Sequence, residues 1–168
     1  ITSCEFSGCA PTGGALALVQ GGWVEDCVFV TTNPSTYTGT FVIADSGAFR
    51  FDRCEFSGGP VIKPDPPSPS YDATFSRCVF TDATLRPSQT LFLPEEGQLD
   101  LHNCLIARVH SSTPIIDSRF AGVEVRNCTV ADTSAPSLVR LNATTHVTTV
   151  RNTIVWPGTI AQWLQGPG

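Results

Sequence analysis

The chain has 168 residues, of which 15% are charged; 10 Lys and Arg are outnumbered by 15 Asp and Glu, for a formal net charge of −5 and a pI near 5.0. With one lysine, Lys63, and no basic stripe, nucleic acid binding is excluded, and no apolar run is long enough for a membrane-spanning helix. The length suffices for one continuous core, so residues 1–168 read as one domain.

The opening hexapeptide ITSCEF, Ile1 to Phe6, is a unit that the chain repeats. An apolar run follows it at Ala15 to Val19. The second copy, VEDCVF, spans Val24 to Phe29 and precedes the run Phe41 to Ala44. FDRCEF at Phe51 to Phe56 is followed by Val61 and Ile62, then by the proline-rich stretch Pro64 to Ser70. FSRCVF at Phe75 to Phe80 precedes Leu91 to Leu93, LHNCLI at Leu101 to Ile106 precedes Ile115 and Ile116, and VRNCTV at Val125 to Val130 precedes Leu138 to Leu141. The last copy, VRNTIV at Val150 to Val155, carries Thr153 in the cysteine position. The anchors Cys4, Cys27, Cys54, Cys78, Cys104, Cys128 and Thr153 are spaced by 23, 27, 24, 26, 24 and 25 residues, a period that marks a solenoid.

Three residues before each anchor and two after it, all fourteen positions are apolar against a 41% hydrophobic background, which establishes the frame. Within a copy the alternation has period 2, as a strand requires: Leu99 and Leu101 face inward, Asp100 outward. The pattern slips by one at the two polar residues before the anchor. Such a slip is a corner, where Asn103, Asn127 and Asn152 stack and adopt the left-handed backbone that asparagine tolerates. No stretch has a 3.6-residue period long enough for helical repeats. The expected architecture is all-β, a parallel β-helix of about seven coils of 23–27 residues, each coil about 4.8 Å from the next and carrying three short strands.

In this frame the repeated cysteine is a compact buried hydrophobe filling a tight corner, a reading that Thr153 in the same slot supports. Isolated disulfides along the ladder, or between Cys4 and Cys9, stay open, although in-register side chains on parallel strands make the torsion awkward. Metal-binding spacings such as C-x-x-C are absent, so neither a metal nor another cofactor is expected. Cys9 is the odd thiol, in a loop where a partner chain has access to it.

The stretches Cys4 to Gly8 and Cys54 to Gly58 (CEFSG), Gly13 to Leu16 (GGAL) and Gly58 to Ile62 (GGPVI) resemble the right-handed parallel β-helix repeats of pectate lyase-like and polymorphic outer-membrane-type surface proteins. The resemblance implies a right-handed coil and covers all seven copies. It leaves function open, since such repeats serve adhesins, tailspikes, lyases and hydrolases. The stretch Pro64 to Ser70 resembles a short form of the Ser-Pro spacers of hydroxyproline-rich wall glycoproteins, although the residues alone favour a bare extended loop. Two N-glycosylation sequons occur, at Asn127 and Asn142. Asn127 lies in the corner ladder and is hindered, which leaves Asn142 as the candidate.

A lyase-type site needs converging carboxylates and a cationic base over one groove. The outward residues four before the anchors are Trp23, Arg50, Thr74, Asp100, Glu124 and Thr149; those two before are Thr2, Glu25, Asp52, Ser76, His102, Arg126 and Arg151. No triple-carboxylate cluster forms. The densest patch is Asp100, His102, Glu124 and Arg126, which reads either as exposed cross-strand charge pairs or as an acid/base pair on a saccharide groove. No G-x-S-x-G motif occurs, His110 and His146 fall in variable loops, and of aromatic platforms only Trp23 and Tyr37 are candidates. Outward apolar residues at Val28, Val79, Leu105 and Ile154 suggest a covered face. Trp156 and Trp163 are placed to cover the last coil. The chain therefore reads as a non-catalytic structural or adhesive rod, a segment of a larger extracellular or cell-surface protein. Its partners would be other protein chains or glycans, met through the loops Pro64 to Ser70 and Pro87 to Thr90. The alternative is a polysaccharide-active lyase or hydrolase.

Overall fold

The computed structural model describes residues 1–7, 14–18, 21–31, 39–44, 46–64, 70–142, 147–156 and 158–166. Cys9, Tyr37, His146 and residues 65–69 of the proline-rich loop lie outside the described residues. In chain order the strands are β1 (Glu5–Ser7), β2 (Gly14–Leu18), β3 (Gly22–Glu25), β4 (Val28–Val30), β5 (Thr40–Ala44), β6 (Gly47–Asp52), β7 (Glu55–Ser57), β8 (Ile62–Pro64), β9 (Ser70–Ser76), β10 (Val79–Thr81), β11 (Glu96–His102), β12 (Leu105–Ala107), β13 (Ile116–Ser118), β14 (Gly122–Arg126), β15 (Thr129–Ala131), β16 (Ser134–Leu141), β17 (Thr148–Arg151), β18 (Ile154–Trp156) and β19 (Thr159–Gln165).

Each strand pairs in parallel with its equivalents one repeat away, which makes a β-solenoid with three faces. The short strands after the anchors form a seven-stranded sheet, β1-β4-β7-β10-β12-β15-β18, and the strands before them a six-stranded sheet, β3-β6-β9-β11-β14-β17. The third face consists of β2-β5-β8 and β13-β16-β19, joined through single bridges from Phe92 to Ile62 and to Ile116. The complete turns number about five rather than seven. Seven anchors do stack as seven rungs, but the turn of β10 has only the Phe92 bridge on the third face and the last turn holds only β18 and β19.

The corner before each anchor is left-handed in all seven copies: Ser3, Asp26, Arg53, Arg77, Asn103, Asn127 and Asn152 have φ between 48° and 56°. Only the three asparagines were expected there. Non-glycine residues carry a cost of about 1–2 kcal/mol in this region. It is offset because the corner N–H groups from Ser3 to Asn127 pair with the next coil: Arg77 donates to the His102 carbonyl at 2.9 Å and Asn103 to the Arg126 carbonyl at 3.0 Å. A second left-handed column, which the sequence pattern did not reveal, closes the far end of the short strands at Gly58, Asp82, Arg108 and Asp132.

Cys27, Cys54, Cys78, Cys104 and Cys128 are buried, Cys4 is half-buried, and none of the described cysteines is in a disulfide. Each central thiol donates to two carbonyls, one two residues back and one on the preceding coil; Cys104 Sγ reaches the His102 oxygen at 3.3 Å and the Phe75 oxygen at 3.4 Å. Thr153 Oγ1 donates to the Arg151 carbonyl at 3.0 Å, so the hydroxyl makes the local half of the same contact. Burial pushes the Cys27 thiol above its ordinary value, because a thiolate is poorly solvated among apolar neighbours.

Two files of aromatic rings fill the interior. Phe6, Phe29, Phe56 and Phe80 stack face to face with centroids 4.6, 4.7 and 5.3 Å apart, and Phe51 stacks on Phe75 at 4.6 Å. Phe92 meets both Phe75 and Phe80 edge-on, tying the third face to the other two. Tyr71, which the sequence reading left without a role, is buried and donates its hydroxyl to the Leu93 carbonyl at 3.0 Å.

Trp156 does not cover the last coil; it is 70% exposed and pairs with Ala131 on the outer row of the seven-stranded sheet. Trp163, 45% exposed, lies between Gln162 and Leu164, whose partners are Ser137 and Val139, and so stands in line with the fully buried Leu138 at the end of the stack. Of the outward apolar residues, Val28, Val79 and Leu105 are half-buried between their row neighbours, while Ile154 is 61% exposed.

Candidate functional site

The outer surface of the six-stranded sheet carries the polar residues that the alternation placed outward. In-register pairing puts Trp23 beside Arg50, Arg50 beside Thr74, Thr74 beside Asp100 and Asp100 beside Glu124 in one row. The next row runs Glu25, Asp52, Ser76, His102, Arg126 and Arg151. Both rows match the sequence-based assignment, because parallel strands of equal stride stack equivalent residues.

Arginines from the corners cross one end of this face and neutralise Glu25, Asp26 and Asp52. Arg53 holds Asp26 with both ends of its guanidinium, Nε at 2.6 Å and Nη2 at 2.8 Å, reaches Asp52 at 2.8 Å and also pairs with Glu25. Arg77 Nε donates to Asp52 Oδ1 at 2.9 Å. Asp52 is thus a buried carboxylate with two guanidiniums. The hydrogen bond from Arg53 holds the Asp26 carboxyl below the usual carboxylate range, and Arg108 does the same for Asp82 at the second corner column.

Between these pairs lies a shallow groove of about 440 Å³ lined by Trp23, Arg50, Asp52, Ser76, Arg77, His102 and Asn103. Trp23 is 58% exposed and stands at one end. Beyond the groove the structure brings together all four residues of the expected patch. Arg126 Nη2 donates to Glu124 Oε2 at 2.8 Å and lies 3.4 Å from His102 Nε2. One ligating atom from each of Asp100, His102 and Glu124 falls within 4.8 Å of the other two. Gln98 Nε2 donates to Asp100 Oδ1 at 2.8 Å. Gln98 was not foreseen; its one sequence signal is that it lies two residues before Asp100, on the same outward face.

Asn142 is exposed, and its Nδ2, the atom to which an N-glycan attaches, donates to Asp117 Oδ1 at 2.7 Å and to the Ser118 carbonyl at 3.2 Å. The corner asparagines stack as expected where Asn152 Nδ2 meets Asn127 Oδ1 at 3.2 Å. On another flank His110 Nδ1 contacts Ser134 Oγ at 2.9 Å, but the nearby Asp82 is bound at both oxygens by Arg108.

No protein-family model matches the chain, and no curated protein or solved structure matches it significantly.

Proposed function

We propose that the chain is a non-catalytic β-solenoid segment of an extracellular or cell-surface assembly, and that its six-stranded face binds glycan chains or glycosylated neighbours. The observation that carries this reading is the exposed indole of Trp23 at the end of the polar groove. An indole face offers an apolar platform to a sugar ring, while Arg50, Ser76, His102 and Asn103 supply hydrogen-bonding groups to hydroxyls. The stacked rings and paired corners supply the rigidity that a rod requires.

The charge pairing favours binding over chemistry. Asp52, Glu25 and Glu124 are each engaged by a guanidinium, which occupies carboxylate oxygens that an acid or base would have to present to a substrate. The right-handed coil and the surface-protein or pectate lyase-like kinship belong to this proposal, as do O-glycosylation of the Pro64 to Ser70 loop and N-glycosylation at Asn142. The unpaired thiols Cys27, Cys54, Cys78, Cys104 and Cys128 are compatible with an extracellular or cell-surface placement, because burial shields them from oxidants.

The polysaccharide-active alternative is favoured by one observation, the proximity of Asp100, His102 and Glu124. Affinity electrophoresis against soluble polysaccharides, followed by analysis of released sugars, separates the two. Retardation by at least one polysaccharide that Trp23→Ala abolishes, with no release, is the expected result. Release of oligosaccharides, or the absence of retardation by every polymer tested, would overturn the reading.

A further inference from the structure

We infer that Asp100, His102 and Glu124 form a binding site for a divalent transition-metal ion of the zinc class. One imidazole and two carboxylates are a donor set suited to a borderline-soft ion, whereas an all-oxygen set would suit calcium or magnesium. The three side chains project from one face of β11 and β14, which pair in register over five residues with Asp100 opposite Glu124 and His102 opposite Arg126. Their ligating atoms lie within 4.8 Å of one another. Metal bonds of about 2.0–2.2 Å in tetrahedral geometry need donor atoms roughly 3.4 Å apart, so small side-chain rotations on a fixed backbone close the site and a water completes it.

Two further observations point to a cation. The Arg126 guanidinium already bridges Glu124 Oε2 and the space at His102 Nε2, at 2.8 and 3.4 Å, so a positive group stands where the ion would sit. Its side chain is 46% exposed, on the solvent side of the cluster. Among the described residues Asp100 makes no ion pair, although it lies directly beside a second carboxylate, an arrangement that a cation relieves. The groups around the cluster are Thr74 beside Asp100, Thr149 beside Glu124, Ser76 beside His102 and Arg151 beside Arg126.

The site also has outer support. Gln98 donates to Asp100 Oδ1 and orients that carboxylate, as the outer hydrogen bonds of metal ligands commonly do. Gln98 takes this position because residue 122 is glycine: a Cβ there would fall 2.1 Å from Gln98 Oε1. Gly122 is therefore a positioning residue for the ligand Asp100.

The test is isothermal titration of the metal-free protein with zinc chloride, and separately with cobalt chloride read by its absorption spectrum. We expect saturation near one equivalent, with His102→Ala and Asp100→Asn each weakening binding by about tenfold to a hundredfold or more. Gly122→Ala weakens it by a smaller factor through Gln98, and Arg126→Gln tightens it by removing the competing cation. The cobalt complex shows ligand-field bands without thiolate charge transfer. The proposal fails if no saturable binding occurs, if Asp100→Asn and His102→Ala bind zinc as the parent does, or if a thiolate band places the ion on cysteine. Should His102→Ala not fold, the opposite effects expected of Asp100→Asn and Arg126→Gln still decide.

Discussion

Replacing Phe56 by alanine removes the ring at the centre of the stacked interior, and its cost can be worked from the neighbours. Phe56 is buried, stacked between Phe29 at 4.7 Å and Phe80 at 5.3 Å, with Phe51 and Phe75 edge-on at 5.9 and 5.8 Å. Deleting a buried phenylalanine costs about 3–5 kcal/mol in transfer and cavity terms. Aromatic pairs add about 0.5–1.5 kcal/mol each beyond area, so the upper part of that range is expected. Against a total stability of about 5–15 kcal/mol this is a large fraction. Phe56→Leu should cost less than half as much, because the same slot holds Ile106, Val130 and Val155 in later coils. Phe6→Ala, at a half-buried end rung, should also cost much less. Urea denaturation followed by far-ultraviolet circular dichroism reads all three, with the slope checking that the unfolding unit is unchanged. A loss below about 1 kcal/mol at Phe56, or an equal loss at Phe6, would refute the stacked interior as the source of rigidity.

Two more predictions concern backbone and pH. At Asn127, where φ is 52°, Asn127→Val should destabilise by about 1–2 kcal/mol, since a β-branched residue is strained in the left-handed region, while Asn127→Gly should be nearly neutral in the same urea titration. Burial raises Cys27 above 9.0 and Tyr71 above 10.0, their ordinary values. A folded-state pKa raised above the unfolded one contributes stability that is full below the unfolded value and is lost as pH rises toward the folded one. The denaturation midpoint should therefore hold up to pH 9.0 and fall above it, and Tyr71→Phe should lessen the fall above 10.0; a midpoint rising with alkali would contradict the burial of both groups.

Much of the architecture was legible because it repeats. An apolar residue three before the anchor and another two after it recur in every copy, and a parallel stack with constant stride places equivalents side by side. The outer rows, and with them the meeting of Asp100 with Glu124 and of His102 with Arg126, follow from the same rule. What repeats less regularly was missed. The second left-handed column mixes Gly58, Asp82, Arg108 and Asp132, a glycine, two acids and a base with no common side chain to mark the column. Tyr71 shares the inward phase of Ala73 and Phe75, but the partner of its hydroxyl gave no signal, since the Leu93 carbonyl comes from another part of the turn.

By itself, then, the sequence determined the solenoid, its anchors and its inward and outward faces, because these need only local alternation and a regular period. Only the tertiary structure decided which charges meet: Arg53 spans Asp26, Asp52 and Glu25, Arg77 closes on Asp52, and Gln98 lies over Gly122 to hold Asp100. Long polar side chains reach across coils, and their final partners depend on rotamers and on the space left by neighbours some 25 residues away in the chain, which no periodic pattern encodes.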